Sequence, residues 1–442
     1  MATKLSANAK KIIKMLLFTA LFMFIFRMGY WVTLPFVNYK ILVDTNITLA
    51  DFGFLNAIGG GSLSHFSVLC LGISPYITSS IVVQLLEMDI VPTLKEWSEE
   101  GETGKQKLNQ LTKYIALGLA FVQALTLTIG ISTSYSDVYF AGSYIDVAKP
   151  VLYVYLALVA TAGTAFTMWL ASLISKYGLG NGTSMVICAG ILASFPGMIK
   201  DLVTNYVTAE EPKVWLFILA IVLLLLIIVF IVFMEAATRK IPIQYANRPA
   251  ASSFRGKNDS NVPIKLNSAS VIPVIFASTL MSLPTTVVSV LGDKVSDNAR
   301  YWILQVFSTT YTADGNVTLT YIGFPLYIIL IFLFSFFYSF LQMNPEKMSE
   351  NLQKQNAYIP GVRPGEETTS YISRVLFKIT VVGATYLALI AILPVVLTAI
   401  FDLPSSVSIG GTSLIIVVGV AVETAKQLKT TQQEKQYRGF ME

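Results

Sequence analysis

Long apolar runs alternate along this chain with shorter stretches of polar and charged residues. A helix that crosses a membrane needs about 20 mainly apolar residues, and ten stretches meet this requirement. They lie at about residues 15–35, 72–91, 114–133, 150–174, 182–201, 214–235, 270–291, 321–342, 372–399 and 409–425. The pattern therefore predicts an all-α polytopic membrane protein with ten transmembrane helices.

One apolar run, from Phe54 to Val91, is too long for an ordinary span. As one helix it would extend about 57 Å, whereas the hydrocarbon core is about 30 Å thick. Three glycines at 59–61 and Pro75 can break it, and irregular backbone at membrane depth must pack against protein or line a cavity. We therefore predict a half-helix at about 62–71 that enters a cavity before a full helix begins. A helix lying on the membrane surface is the alternative.

The composition excludes an ordinary soluble protein. Hydrophobic residues make up 54% of the chain and charged residues 13%, whereas soluble domains carry about 25% charged residues. One histidine and two cysteines cannot form the cluster that a zinc site needs. The sequence also lacks HExxH, GxSxG and phosphate-loop motifs. We expect no enzyme activity, no metal and no cofactor.

The distribution of Lys and Arg predicts the orientation in the membrane. With the N-terminus on the cytoplasmic side, 23 of these residues fall on that side and 6 on the other, which satisfies the positive-inside rule. An even number of spans then places both termini in the cytoplasm. Two longer cytoplasmic loops, at about 236–269 and 343–371, are polar and basic. They are either solvated loops or a docking surface for an acidic or nucleic-acid-rich partner.

Arg27 is the clearest charged residue within a predicted span. A charge at the bilayer centre costs roughly 2.5–3.5 kcal/mol unless it is paired or faces a polar interior. Arg27 therefore either reaches the membrane surface or a neighbouring helix, or braces a polar interior.

Six motifs, the first of them in three parts, lie in order along nearly the whole chain and resemble those of the SecY family of protein-translocation channel subunits. The first is GGSLSHFS at 60–67, followed by GISPYITSSI at 72–81 and QLL at 84–86. The others are GLGNGTS at 178–184, RKIPIQYA at 239–246, VIPVIFAS at 271–278, PGVRPG at 360–365 and GGTSLII at 410–416.

The resemblance implies two pseudo-symmetric five-helix halves, residues 1–202 and 203–442, around an hourglass pore. Residues 54–71 of the first half would form a plug. The implied function is the central subunit of a channel in the plasma membrane that passes unfolded secretory polypeptides and releases membrane segments sideways into lipid. A secondary transporter for a small solute is the alternative, and it requires a polar site at the midplane.

Motif by motif, the resemblance also implies site residues. The apolar pore ring would comprise Ile73, Ile77, Thr183, Ile187, Ile275 and Ile416, where Thr183 either weakens the seal or lies just off the ring. The plug would contain Gly59, Gly60, Gly61, Ser62, His65 and Phe66. The lateral gate, between the second and seventh spans, would contain Ile81, Gln84, Ser278 and Ser282.

The resemblance further implies partners. Arg363, with Arg248 and Arg255, would contact the ribosome or the SecA ATPase at the cytoplasmic face. SecE and SecG would be the small membrane subunits. Polypeptides that bear signal sequences and the membrane lipid would be the other contacts.

Overall fold

The computed structural model describes residues 2–37, 59–63, 65–87, 90–134, 149–207, 213–245, 260–291, 296–307, 317–401 and 405–438. These residues form thirteen helices and three short strands. The helices are α1 (Ala2–Gly29), α2 (Ser74–Glu87), α3 (Pro92–Glu99), α4 (Glu102–Ser134), α5 (Lys149–Tyr177), α6 (Gly182–Tyr206), α7 (Val214–Ala236), α8 (Ile272–Leu291), α9 (Asp297–Phe307), α10 (Val317–Gln342), α11 (Pro345–Lys354), α12 (Glu366–Phe401) and α13 (Ser405–Arg438). The strands are β1 (Thr238–Tyr245), β2 (Ser260–Lys265) and β3 (Ala357–Tyr358).

Every predicted span overlaps one of these helices, which confirms a mainly helical, multi-pass membrane protein. Among the described residues, seven helices are long and apolar enough to cross a membrane. An eighth is added if α2 and α3 count as one span bent by 96°. The count of ten is consistent with the fold and stays a prediction.

The second span is shorter than predicted. Helix α2 ends at Glu87 rather than near residue 91, and α3 starts a new direction at Pro92. Proline fits the first turn of a helix but disfavours helical backbone in the residue before it. The extended backbone of Val91 shows this effect. Helix α3 buries Leu94 and leaves most of its other side chains exposed or half-exposed, as a surface helix does.

The predicted half-helix at 62–71 is wrong for the residues that the structure describes. Residues 59–63 and 65–73, which we name the turn segment, form successive turns instead of a helix. Gly60 and Gly72 adopt left-handed backbone with φ of 67° and 53°, which glycine tolerates and which interrupts a right-handed helix. Residues 54–58 of the expected plug lie outside the described residues.

The first span also ends earlier than predicted, at Gly29 rather than near residue 35. The chain beyond it turns back to pair with the turn segment through an isolated bridge between Thr33 and Ser67. The Val68 N–H donates to the Val32 carbonyl at 2.8 Å, and the Leu34 N–H donates to the Phe66 carbonyl at 2.9 Å. These bonds fix the turn segment against the end of α1.

The two loops predicted to be polar connectors contain a small sheet that the sequence analysis did not predict. Its strand order is β2-β1-β3, and β1 pairs antiparallel with both neighbours. Ile241 and Ile243 point inward and join a separate apolar cluster with residues of α11 and α12. The part of the first loop at 246–259 lies outside the described residues.

Candidate functional site

A cavity of about 720 Å³ lies among α2, α4, α5, α6 and α8. Its lining contains five of the six predicted ring residues, namely Ile73, Ile77, Thr183, Ile187 and Ile275. The lining also includes the polar and charged side chains of Gln84, Asn109, Lys113, Ser172, Ser175, Lys176 and Asn181. The cavity is thus polar enough to hold water, and isoleucine side chains form part of its wall.

The isoleucines of the predicted ring belong to one apolar cluster. Ile73, Ile187, Ile275 and Ile416 are buried in it, and Ile77 packs against it half-buried. Ile73 directly precedes α2, and Ile77 lies one helical turn later on the same face. Ile416 is not part of the cavity lining, yet it lies in the same cluster. The structure therefore brings together residues from four different parts of the sequence.

Thr183 takes a different position from the isoleucines. It lies in the first turn of α6, where its hydroxyl donates to Asn181 Oδ1 at 2.8 Å and its N–H donates to the same oxygen at 3.1 Å. Asn181 is the N-cap of this helix, and such caps satisfy the free N–H groups of a first turn. Thr183 lines the cavity but is absent from the apolar cluster, which favours its lying off the ring.

Ile191 is a further ring candidate that the sequence motifs did not indicate. It is buried in the same apolar cluster and lies one helical turn after Ile187 on α6. The i, i+4 spacing of the two isoleucines is visible in the sequence and could have indicated this residue.

The described residues of the predicted plug pack inside the bundle. Gly59, Gly60, Ser62 and Phe66 are buried, while Gly61 and His65 are half-buried. A β-carbon at Gly60 would approach the backbone of Gly190 on α6 to 3.0 Å, so the segment lies very close to that helix.

Helices α2 and α8, the predicted walls of the lateral gate, contact each other over a short stretch. Ile81 packs against the large apolar cluster. The hydroxyl of Ser278 donates to the carbonyls of its own helix at Val274 and Ile275, and the hydroxyl of Ser282 donates to the Thr279 carbonyl. The two serines thus bond within α8.

Gln84 makes a contact that the sequence did not predict. The hydroxyl of Tyr338 on α10 donates to Gln84 Oε1 at 2.7 Å. The ring of Tyr338 also lies edge-on to Phe276 of α8, with centroids 4.8 Å apart. One buried tyrosine therefore contacts both walls of the predicted gate.

Of the three predicted docking arginines, the structure describes only Arg363. Its side chain is 87% exposed, on a turn flanked by Gly361 and Gly365 in left-handed backbone. Arg248 and Arg255 lie outside the described residues. Within the described ranges, no three His, Cys, Asp or Glu side chains could hold a metal ion together.

Comparison with known proteins identifies the family. The SecY family model matches residues 67–425. The chain is 42% identical to the protein translocase subunit SecY of Halalkalibacterium halodurans, over 96% of each chain. It is also 42% identical to the protein translocase subunit SecY of Staphylococcus aureus, over 98% of this chain and 97% of that one.

Solved structures share the fold. One described as a protein conducting channel aligns with a TM-score of 0.68 and 17% identity, covering 95% of this chain and 93% of that one. Sec61 from a canine ribosome-channel complex aligns with a TM-score of 0.64 and 17% identity, over 95% and 93%. The family match and the relatives carry the conclusion: this chain belongs to the SecY family.

Proposed function

We propose that this chain is the central subunit of a protein-conducting channel in the plasma membrane. Unfolded secretory polypeptides would pass through its centre, and membrane segments would leave sideways into lipid. The observation that carries this proposal is the cavity of about 720 Å³ that meets a cluster of buried isoleucines. The relatives named above are translocase subunits, and nothing in the comparisons supports a small-solute transporter.

The chemistry of the cluster suits such a passage. A narrow apolar constriction loses its water and so blocks ions without a specific filter. Aliphatic side chains form no directional bonds, so polypeptides of varied sequence can slide past them. Ile73, Ile187, Ile275 and Ile416 would form this constriction, with Ile77 beside them. The relatives named above are translocase subunits, and we propose that the chain itself is not an enzyme.

The lateral gate would open between α2 and α8. Opening would separate Gln84 from Tyr338, since the two side chains belong to α2 and α10. The halves that move would be residues 1–202 and 203–442. Both chain termini and the sheet of β1, β2 and β3 would face the cytoplasm, as the positive-inside rule predicts.

Partners would supply the energy and complete the assembly. SecE and SecG would be the small membrane subunits, and the SecA ATPase or the ribosome would dock on the cytoplasmic face. Arg363 supports this placement because its guanidinium is exposed at the tip of a turn. Arg248 and Arg255 would extend the same basic surface.

Reconstitution in liposomes tests the proposal. The chain, SecE and SecA are combined with ATP and a precursor that bears a signal sequence, and protease is then added outside. We expect a protease-protected fraction of precursor that requires both ATP and the signal sequence. Absence of protected precursor, together with uptake of a small solute, would overturn the proposal in favour of a transporter.

A further inference from the structure

Arg27 lies near the end of α1, two residues before the helix stops at Gly29. Its side chain is half-buried against the bundle rather than exposed. A guanidinium within a membrane span is costly and needs partners that replace water. Its neighbours therefore show what its charge is used for.

Those neighbours tie α1 to the plug residues. Arg27 Nη1 donates a hydrogen bond to the carbonyl oxygen of Gly60 at 2.8 Å. The guanidinium also lies 4.0 Å from the ring centroid of Tyr30, a cation–π contact. The Tyr30 ring in turn meets His65 edge-on, with centroids 4.5 Å apart. Arg27 of α1 and Tyr30, just beyond the helix, thus contact the described plug residues at Gly60 and His65.

The geometry of Gly60 makes this hydrogen bond specific to one plug position. Gly60 adopts left-handed backbone with φ of 67°. Its α-carbon packs so closely against Gly190 of α6 that a β-carbon there would lie 3.0 Å from the Gly190 backbone. The space between Arg27, Ser62 and Gly190 is a cavity of about 10 Å³, scarcely enough for one water molecule. The plug cannot leave this place without separating the Gly60 carbonyl from Arg27.

We propose that Arg27 is the positioning residue that holds the plug closed, through its hydrogen bond to the Gly60 carbonyl and its contact with Tyr30. The proposal rests on the channel function proposed above. Displacement of the plug would leave the guanidinium to find other partners, which disfavours the open state in the absence of a translocating polypeptide.

Ion leak through the reconstituted chain and SecE, with no precursor present, tests the proposal. Arg27→Met removes the charge and every donor but keeps an unbranched apolar stem. We expect the leak to rise about tenfold to one-hundredfold, the change that corresponds to losing a hydrogen bond from a charged group. Arg27→Lys keeps the charge and can still donate, so its leak should be intermediate. Lys378→Met removes an exposed charge on α12 and should leave the leak unchanged.

A second measurement separates a plug effect from a folding effect. Ser62→Cys, with Cys70 and Cys188 replaced by alanine, places a thiol in the buried plug. A membrane-impermeant maleimide should label this thiol faster in the Arg27→Met background, while the thermal midpoint in detergent stays within a few degrees.

The outcomes distinguish this proposal from the proposed function. An unchanged leak and an unchanged labelling rate in Arg27→Met, with normal precursor import, would overturn the role of Arg27 and leave the channel function standing. A leak that rises equally in Lys378→Met would also overturn it, because the effect would then follow charge in general. Failure of the unsubstituted chain to import precursor would instead remove the proposed function.

Discussion

The proposed seal depends on a few aliphatic side chains at the meeting point of α2, α6, α8 and α13. The sequence motifs indicate Ile73, Ile187, Ile275 and Ile416, and the structure places all four in one apolar cluster; their role as a ring stays a prediction. The position of Thr183 could not be predicted, because it follows from a local hydrogen bond to Asn181. Nor could the contact of Tyr338 with Gln84, whose partners are 254 residues apart in the chain.

Ile275→Asn should loosen the seal. The amide would lie among buried apolar side chains that offer no hydrogen bond. An unsatisfied buried polar group costs about 1–3 kcal/mol, and entry of water into the constriction would reduce this cost. We expect roughly a tenfold rise in ion leak and import of precursors with defective signal sequences. Ile329→Asn, at an exposed position on α10, is the matched control and should change neither. Equal leak in both variants would reject the ring assignment.

Tyr338→Phe should make the lateral gate easier to open. The substitution removes the hydroxyl that donates to Gln84 Oε1 and keeps the ring against Phe276. A hydrogen bond of this kind contributes about 1 kcal/mol, so precursors with weakened signal sequences should be imported about fivefold faster. Tyr114→Phe, on the exposed side of α4, should have no effect. A slower rate for Tyr338→Phe would contradict a closing role.

At the scale of elements, the break in the Phe54–Val91 run could be predicted, but its conformation could not. Length and glycine content show that a single helix is impossible. The turns themselves depend on a distant partner, because Thr33 and Ser67 form their bridge across 34 positions of the chain. The sheet was not predicted for a different reason. The loop is polar overall, and the alternation of the buried Ile241 and Ile243 with exposed neighbours, typical of a strand, covers only a few residues.

The turn segment also depends on a glycine in α5. A methyl group at Gly163 would overlap the carbonyl oxygen of Val68. The backbone of α5 or of the turn segment would therefore have to move to accommodate an alanine. We expect Gly163→Ala to lower the free energy of unfolding by about 1–3 kcal/mol, as overpacking typically does. Gly118→Ala in α4 meets nothing within 4 Å and should be neutral or stabilising by up to about 1 kcal/mol. Thermal midpoints of the purified variants measure both, and a stable Gly163→Ala would show that this contact is loose.

The tip of the loop before α12 should act in docking rather than in folding. Arg363→Glu reverses the charge of a side chain that is almost fully exposed, so the thermal midpoint should stay unchanged. Binding of SecA or of ribosomes to the reconstituted channel should weaken by tenfold or more, because like charges at an interface repel. Lys213→Glu makes the same change on the opposite face by the predicted orientation and should leave binding intact. Equal loss of binding in both variants would remove the docking assignment.

At the scale of the whole molecule, composition and hydropathy were enough to predict a many-spanning helical protein. The multi-pass class follows because a chain with 13% charged residues cannot cover a water-facing surface of this size. The two related halves, 1–202 and 203–442, stay a prediction that comes from the family resemblance and not from the residue pattern. Internal repeats of this kind leave only weak symmetry in a sequence, so the hydropathy pattern alone does not indicate them.

Cross-linking during transit tests whether a polypeptide passes through the middle of the helix bundle. A precursor with a bulky folded end and one central cysteine is stalled in the reconstituted channel, and disulfide formation is then measured. Cysteine in place of Ile275 should cross-link to the stalled precursor, whereas cysteine in place of Val229, an exposed residue of α7, should not. Cross-linking at Val229 and not at Ile275 would contradict passage through the isoleucine cluster.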